Sequence, residues 1–244
     1  MGCPVPPMTV PAFLICRDLV TWLKRTVAGL EANPGVGPIY LIDNASTYPP
    51  LLSYYRTSPH QVIRLGANLG KRGPWKKGII ARYAAGQQFI VTDPDIEPME
   101  DCPADWLEHF QTALDRYPDI VKVGFGLHLD DLPDQYEFKA EVLQRSRQFE
   151  HPDHLTPCRG FYRIPLDTTL ALYRAGTPYT TQPALRSAAP YQARHLAWYL
   201  NSADPSREIR YYRTHAHKRF GHWAKVSLPA RLRNSLDRDF GKQP

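Results

Sequence analysis

The sequence lacks any pairing of its cysteines. Cys3, Cys16, Cys102 and Cys158 are scattered with no C-x-x-C motif, which argues against a zinc or disulfide framework and for free thiols in a reducing cytoplasm. Long apolar runs are also missing, and none approaches the length needed to span a bilayer. The segment Met1-Gly2-Cys3-Pro4 offers no basic stretch followed by an apolar core, so no signal peptide is expected. Pro6 stands where a myristoylation pattern needs Ser or Thr. No G-x-G-x-x-G follows the first apolar run, which leads instead into Cys16-Arg17-Asp18 and so argues against nicotinamide chemistry. Gly66-Ala67-Asn68-Leu69-Gly70-Lys71-Arg72 is one residue short of a P-loop between its glycines, and it carries Arg where that motif needs a hydroxyl.

What is present is an ordinary globular composition, 43% hydrophobic and 22% charged, in 244 residues. That length accommodates one generous domain with a substantial core. The 24 prolines argue for many turns and short elements. The net charge of +6 is uneven. Residues 206–244 hold 10 Lys and Arg against 3 Asp and Glu, leaving 20 against 21 for the rest, so a neutral body precedes a basic tail. We partition the chain into a domain over 1–215 and a tail over 216–244.

The apolar pattern predicts strands at 10–16, 39–42, 61–65 and 89–92, with helices from Asp18, over 51–56 and over 77–85 between them. A helix over 106–117 and a strand over 120–127 follow. A helix over 138–147 and a strand pair at 162–165 and 168–173 come later, and 191–199 fits no single element. Strand–helix alternation with polar residues at each strand end predicts an α/β fold with a mostly parallel central sheet. Ligands of such sheets bind outside the carboxyl ends of the strands, where Asp43, Asn68, Asp93 and Asp95 would converge.

Asp93-Pro94-Asp95 closes the run Phe89-Ile90-Val91-Thr92. Two carboxylates one residue apart at the end of a buried strand suit a hard divalent cation, which takes oxygen ligands from one or two carboxylates together with substrate phosphates. The bland alternative is a pair of solvated loop acids. Read in order, four features bear on the choice: a strand reaching Arg17-Asp18, a second ending in Asp43-Asn44-Ala45-Ser46-Thr47, the Asn68-Leu69-Gly70 turn, and Asp93-Pro94-Asp95. Together over residues 10–100 they resemble the GT-A glycosyltransferases, closest to the family-2-like group that uses nucleotide-diphosphate sugars.

The resemblance implies a GT-A three-layer sandwich and a transferase that is metal-dependent through Mn²⁺ or Mg²⁺. The enzyme would move a sugar from a nucleotide-diphosphate donor to a glycan or lipid-linked acceptor. It implies donor contacts from Ile15, Arg17, Asp43, Asn44, Asn68, Arg72, Lys76 and Asp93. The bland alternative for Asp43 is an Asx-turn or helix cap, and for Arg72, Lys76 and Lys77 a solvated face. The metal would fall to Asp93 and Asp95, with His195 as third ligand and His215 and His217 as competitors. A transfer with inversion needs a base within hydrogen-bond reach of the acceptor hydroxyl, and the candidates are Asp167, Asp131 and Asp130. Two rival functions stand beside this one: a sugar-phosphate nucleotidyltransferase, which should carry a glycine-rich basic loop after its first strand and here does not, and a non-catalytic carbohydrate- or membrane-binding module.

In the tail, Leu228, Leu232 and Leu236 recur at four-residue spacing beside Arg231, Arg233 and Arg238. A short basic amphipathic helix of this kind can lie on an anionic membrane. The expectation is a cytoplasmic enzyme, peripheral on the inner face of the membrane, with no nucleic-acid partner.

Overall fold

The computed structural model describes residues 9–149, 154–156 and 160–215. The first strand, β1 (Val10–Cys16), is buried along its whole length, as a central parallel strand must be when both sheet faces are covered. Its side chains alternate between two cores: Ala12, Leu14 and Cys16 enter the larger, Phe13 and Ile15 the smaller. Helix α1 (Thr21–Glu31) turns Leu23, Val27 and Leu30 into the larger core. After β2 (Val36–Asp43), α2 (Pro49–Thr57) opens on two prolines, whose fixed φ suits a first helical turn.

β3 (Gln61–Arg64) precedes two short helices, α3 (Gly73–Lys76) and α4 (Ile79–Ala84). The expected helix over 77–85 therefore starts two residues late. Gly78 sits at φ +66°, a left-handed conformation that no helix continues through. Ile79, Ile80 and Ala84 of α4 fill the smaller core on the opposite face from α1, which completes the three layers. β4 (Phe89–Thr92) is buried throughout. β5 (Ile96–Pro98) and α5 (Trp106–Arg116) follow, the latter burying Trp106, Leu107, Phe110 and Leu114.

The expected strand over 120–127 divides. β6 (Lys122–Gly124) stays in the main sheet, and β7 (Gly126–Leu127) joins a second one. A Cβ on Gly126 would lie 2.2 Å from the Ser187 carbonyl oxygen, so only glycine lets the chain cross there. The remaining elements are α6 (Lys139–Phe149), β8 (Phe161–Tyr162), β9 (Ala171–Tyr173), β10 (Ala184–Ser187), β11 (Gln192–His195) and α7 (Arg207–His215). The predicted strand pair at 162–165 and 168–173 does not form. β8 pairs with β10 at the sheet edge, while β9 lies antiparallel between β4 and β6. The intervening chain is drawn off elsewhere, Thr168 to Asp93 and Leu166 to Thr181.

The main sheet has eight strands in the order β3-β2-β1-β4-β9-β6-β10-β8. β1, β2, β3, β4, β6 and β10 run one way, and β9 and β8 the other. A three-stranded sheet, β5-β11-β7, takes its first strand from the chain just past the carboxyl end of β4. There β11 pairs antiparallel with β5, setting His195 opposite Ile96. The α/β class and the mostly parallel sheet are thus as the sequence predicts. Among the described residues, no helix is long and apolar enough to cross a membrane. The tail over 216–244, His217, Cys3 and Cys158 lie outside the described residues, while Cys16 and Cys102 are free thiols.

Candidate active site

β4 delivers Asp93-Pro94-Asp95 to the carboxyl edge of the sheet. The turn is fixed from both sides. Thr26, buried on α1, donates its hydroxyl to the Pro94 carbonyl at 2.9 Å. Asp93 gives its backbone N–H to the Thr168 carbonyl at 2.8 Å and accepts the Thr168 hydroxyl on Oδ2 at 2.6 Å.

Asp95 is almost wholly buried, and its Oδ1 has no hydrogen-bond partner. Its Oδ2 lies 3.7 Å from Nε2 of His195, and the Asp95 carbonyl accepts the Leu196 N–H at 2.8 Å. The His195 ring stacks on Trp198, with centroids 4.7 Å apart. Burial, and then the negative charge of Asp95, push the Asp93 carboxyl well above the usual carboxylate range, against the Thr168 bond. Burial also raises the Tyr212 phenol on α7, and Asp95 and Asp93 are the next causes, so this phenol belongs to the same acidic neighbourhood.

A buried carboxylate oxygen without a partner is costly to leave unmade, and Asp95 Oδ1 therefore fits a cation. Among the described residues, no group of three or more His, Cys, Asp or Glu is arranged as a metal cage.

The residues after β1 and β2 are engaged with one another and with α7. Arg17 donates to the carbonyls of Asn44 at 2.6 Å, Ala45 at 3.0 Å and His215 at 3.0 Å. Buried Asp18 accepts the amides of Thr47 and Tyr48 at the start of α2. Asp43 is 2% exposed and ties down its own loop three residues on. It accepts Ser46 N–H at 3.0 Å and the Tyr55 hydroxyl at 3.3 Å, with Arg64 at 3.5 Å from its other oxygen. Asn44 clamps the next loop, accepting Leu69 N–H and donating to the Gly70 carbonyl. Asn68 accepts Gly70 N–H at 3.0 Å, and Gly70 adopts φ +64°. Ile15 is a core side chain. Arg72 lies over the Tyr179 ring at 4.8 Å, and together with Lys76, Trp75 and Tyr179 it lines a surface groove of about 480 Å³.

The base candidates are set apart. Asp167 is ion-paired to Lys71 and accepts the Tyr179 hydroxyl at 3.1 Å. Asp167 and Lys71 are both felt electrostatically at Asp93. Asp131 is held by Arg194 at 2.7 Å and by the Tyr199 hydroxyl. Burial opposes its charge, but these hydrogen bonds outweigh burial and keep its carboxyl below the usual range. Arg194 and His195 are consecutive on β11 and leave opposite faces, which separates Asp131 from the Asp95 side. Asp130 is exposed. His215 bonds within α7, its Nδ1 at 2.9 Å from both the Thr214 hydroxyl and the Tyr211 carbonyl.

Sequence reading missed Thr168, Thr26 and Tyr212 around the acidic turn, and also Glu208. The Glu208 carboxylate accepts the Val20 and Thr21 amides and so caps α1 from the far end of the chain.

No protein-family model matches the chain, and no curated protein matches it. Among solved structures it is similar to a mannosyltransferase from Pyrobaculum calidifontis in complex with GDP-Man and Mn²⁺. That likeness is at 17% identity and TM-score 0.44, over 70% of this chain and 46% of that one. It is also similar to glucosyl-3-phosphoglycerate synthase from Mycobacterium tuberculosis in complex with phosphoglyceric acid, at 13% identity and TM-score 0.41, over 68% and 57%. A second structure of that synthase, with Mn²⁺ and UDP-Glc, matches at 12% identity and TM-score 0.40, over 68% and 56%. The chain spans about half the length of these proteins. The strand order, with Asp93-Pro94-Asp95 at the end of β4, is the α/β arrangement with a mostly parallel central sheet that the sequence predicts.

Proposed function

We propose that this chain is a glycosyltransferase that depends on a divalent metal, Mn²⁺ or Mg²⁺, and transfers a sugar from a nucleotide-diphosphate donor to a glycan or lipid-linked acceptor. One observation carries the reading: a buried carboxylate oxygen, Asp95 Oδ1, has no partner at the carboxyl end of β4, with Asp93 and the His195 imidazole beside it. Asp95, His195 and Asp93 would hold the metal. When bound, the metal supplies positive charge to a departing diphosphate.

The chain's own residues prepare that position. Thr168 and Thr26 lock the acidic turn, so that its carboxylates need little rearrangement on binding. Asp43, Asn44 and Asn68 serve the donor by shaping the loops around it, since their side-chain oxygens already accept protein N–H groups. Asp167 is the preferred base. It lies on the Asp93 side of the site, whereas Asp131 is held ionised and weakly basic by Arg194 and Tyr199. Release from Lys71 would free its carboxylate for an acceptor hydroxyl. The basic tail would supply peripheral contact with a cytoplasmic membrane face for a lipid-linked acceptor.

The test is a thermal-shift screen of UDP and GDP with and without Mn²⁺, followed by product analysis with the matching nucleotide sugars. Mn²⁺-dependent binding that disappears in Asp95→Ala supports the reading. Binding without metal, or transfer at wild-type level in that variant, would sink it. Binding without turnover on any acceptor would favour a recognition module.

A further inference from the structure

Lys122 lies on β6, an interior strand of the main sheet, and is fully buried. It faces Tyr173 on β9 and Ala184 on β10, both members of the smaller core. An aliphatic side chain would fill this place without the cost of taking a charge out of water. What the ammonium supplies is three hydrogen bonds, to the Thr180 carbonyl at 2.7 Å, the Asp167 carbonyl at 3.0 Å and the Tyr173 hydroxyl at 3.2 Å. Two of these acceptors lie outside any strand, one in each of two loop segments.

Those segments are tied together above the ammonium. Leu166 donates its N–H to the Thr181 carbonyl at 2.8 Å, and Tyr179 donates its hydroxyl to the Asp167 carboxylate. The residue after Asp167 is Thr168, which holds Asp93 through both backbone and hydroxyl. A continuous series of bonded groups therefore runs from the β6 strand to the acidic turn. We propose that Lys122 is a positioning residue of the donor site, fixing the 166–168 segment so that Thr168 orients Asp93. The assignment rests on the donor reading given above.

Its environment agrees with a strained but satisfied charge. Burial lowers the ammonium to about 8, Asp167 opposes that shift, and Lys71 and Arg186 add to it. A lysine kept in such a place for packing alone would need none of the loop carbonyls.

Lys122→Met keeps the length of the side chain and removes its donors. In hydrogen exchange followed by NMR, the Val123 and Leu172 amides of the β6–β9 ladder should keep wild-type protection. The Asp93 and Leu166 amides should exchange about tenfold faster, with a displaced Asp93 carboxyl resonance. The Kd for UDP or GDP in Mn²⁺ should rise about tenfold, the equivalent of one lost hydrogen bond. Wild-type exchange at Asp93 and Leu166 would overturn the proposal. If the ladder amides are lost too, Tyr173→Phe decides. It removes one acceptor only and should still speed exchange at Asp93 and Leu166, and unchanged exchange there would equally overturn the assignment. A wild-type chain that binds neither nucleotide would refute the donor reading, while the exchange comparison would still decide whether Lys122 fixes the segment.

Discussion

Thr168 and Asp93 are joined by two hydrogen bonds of opposite direction, the Thr168 hydroxyl to Asp93 Oδ2 at 2.6 Å and the Asp93 amide to the Thr168 carbonyl at 2.8 Å. The first opposes the rise that burial and Asp95 impose on the Asp93 carboxyl. Thr168→Val keeps the shape and removes the hydroxyl. A hydrogen bond to a charged group contributes about 1.5 kcal/mol, close to one pH unit. The pH at which Mn²⁺ stabilises the protein against heat should therefore move up by about one unit, and an unmoved midpoint would contradict the assigned bond.

The raised Asp93 carboxyl also sets the sign of the pH dependence without metal. Between the ordinary aspartate value and its elevated folded value, the folded chain holds more protons than the unfolded one. Stability in EDTA should accordingly fall as pH rises through that window. Asp93→Asn should flatten this slope in thermal denaturation between pH 5 and about 8. In wild type the stabilisation by Mn²⁺ should grow over the same range, because the cation competes with the proton.

Helix α1 has no N-cap side chain of its own and relies on Glu208 of α7. Glu208→Ala should cost about 1–2 kcal/mol, the range of a lost helix cap with its charge at the positive end of the helix dipole. Urea denaturation measures it. A loss below a few tenths would mean that water replaces the carboxylate.

Gly126→Ala should be far more damaging than a substitution at a half-buried glycine with room around it, such as Gly160→Ala. The new Cβ meets the Ser187 carbonyl 2.2 Å away at Gly126, whereas at Gly160 its nearest neighbour is 4.0 Å away. Overpacking against backbone of this kind costs about 3 kcal/mol. Because β7 supports β11, the variant should also weaken Mn²⁺-dependent nucleotide binding through displacement of His195. Calorimetry and the nucleotide screen test the two effects separately.

The first strands of the main sheet are legible because they are written in local pattern. The runs at 10–16 and 89–92 are apolar on both faces, and their strands begin and end where the sequence places them. His195 came from resemblance alone, and only the antiparallel pairing of β11 with β5 puts it beside Asp95. Thr26 and Glu208 carry no local signal, since their partners Pro94 and the α1 amides are far away in sequence. α7 is polar on most of its length, and its buried Glu208 and Arg213 disguise the face that packs. β10, Ala-Leu-Arg-Ser, is too short for a period to show. Lys122 did leave a trace, a lone cation inside the apolar run at 120–127, but such a residue reads equally as the solvent-facing member of an edge strand.

The contact between Arg17 and the His215 carbonyl spans 198 residues, and Glu208 reaches back 188 and 187 residues to Val20 and Thr21. A ribosome releases the first strand and its loop long before α7 exists. Until α7 emerges, the nascent chain must hold the Arg17 turn and the α1 terminus without the groups that complete them. The rim of the candidate site thus becomes whole only when residue 215 has emerged, so its assembly waits on α7.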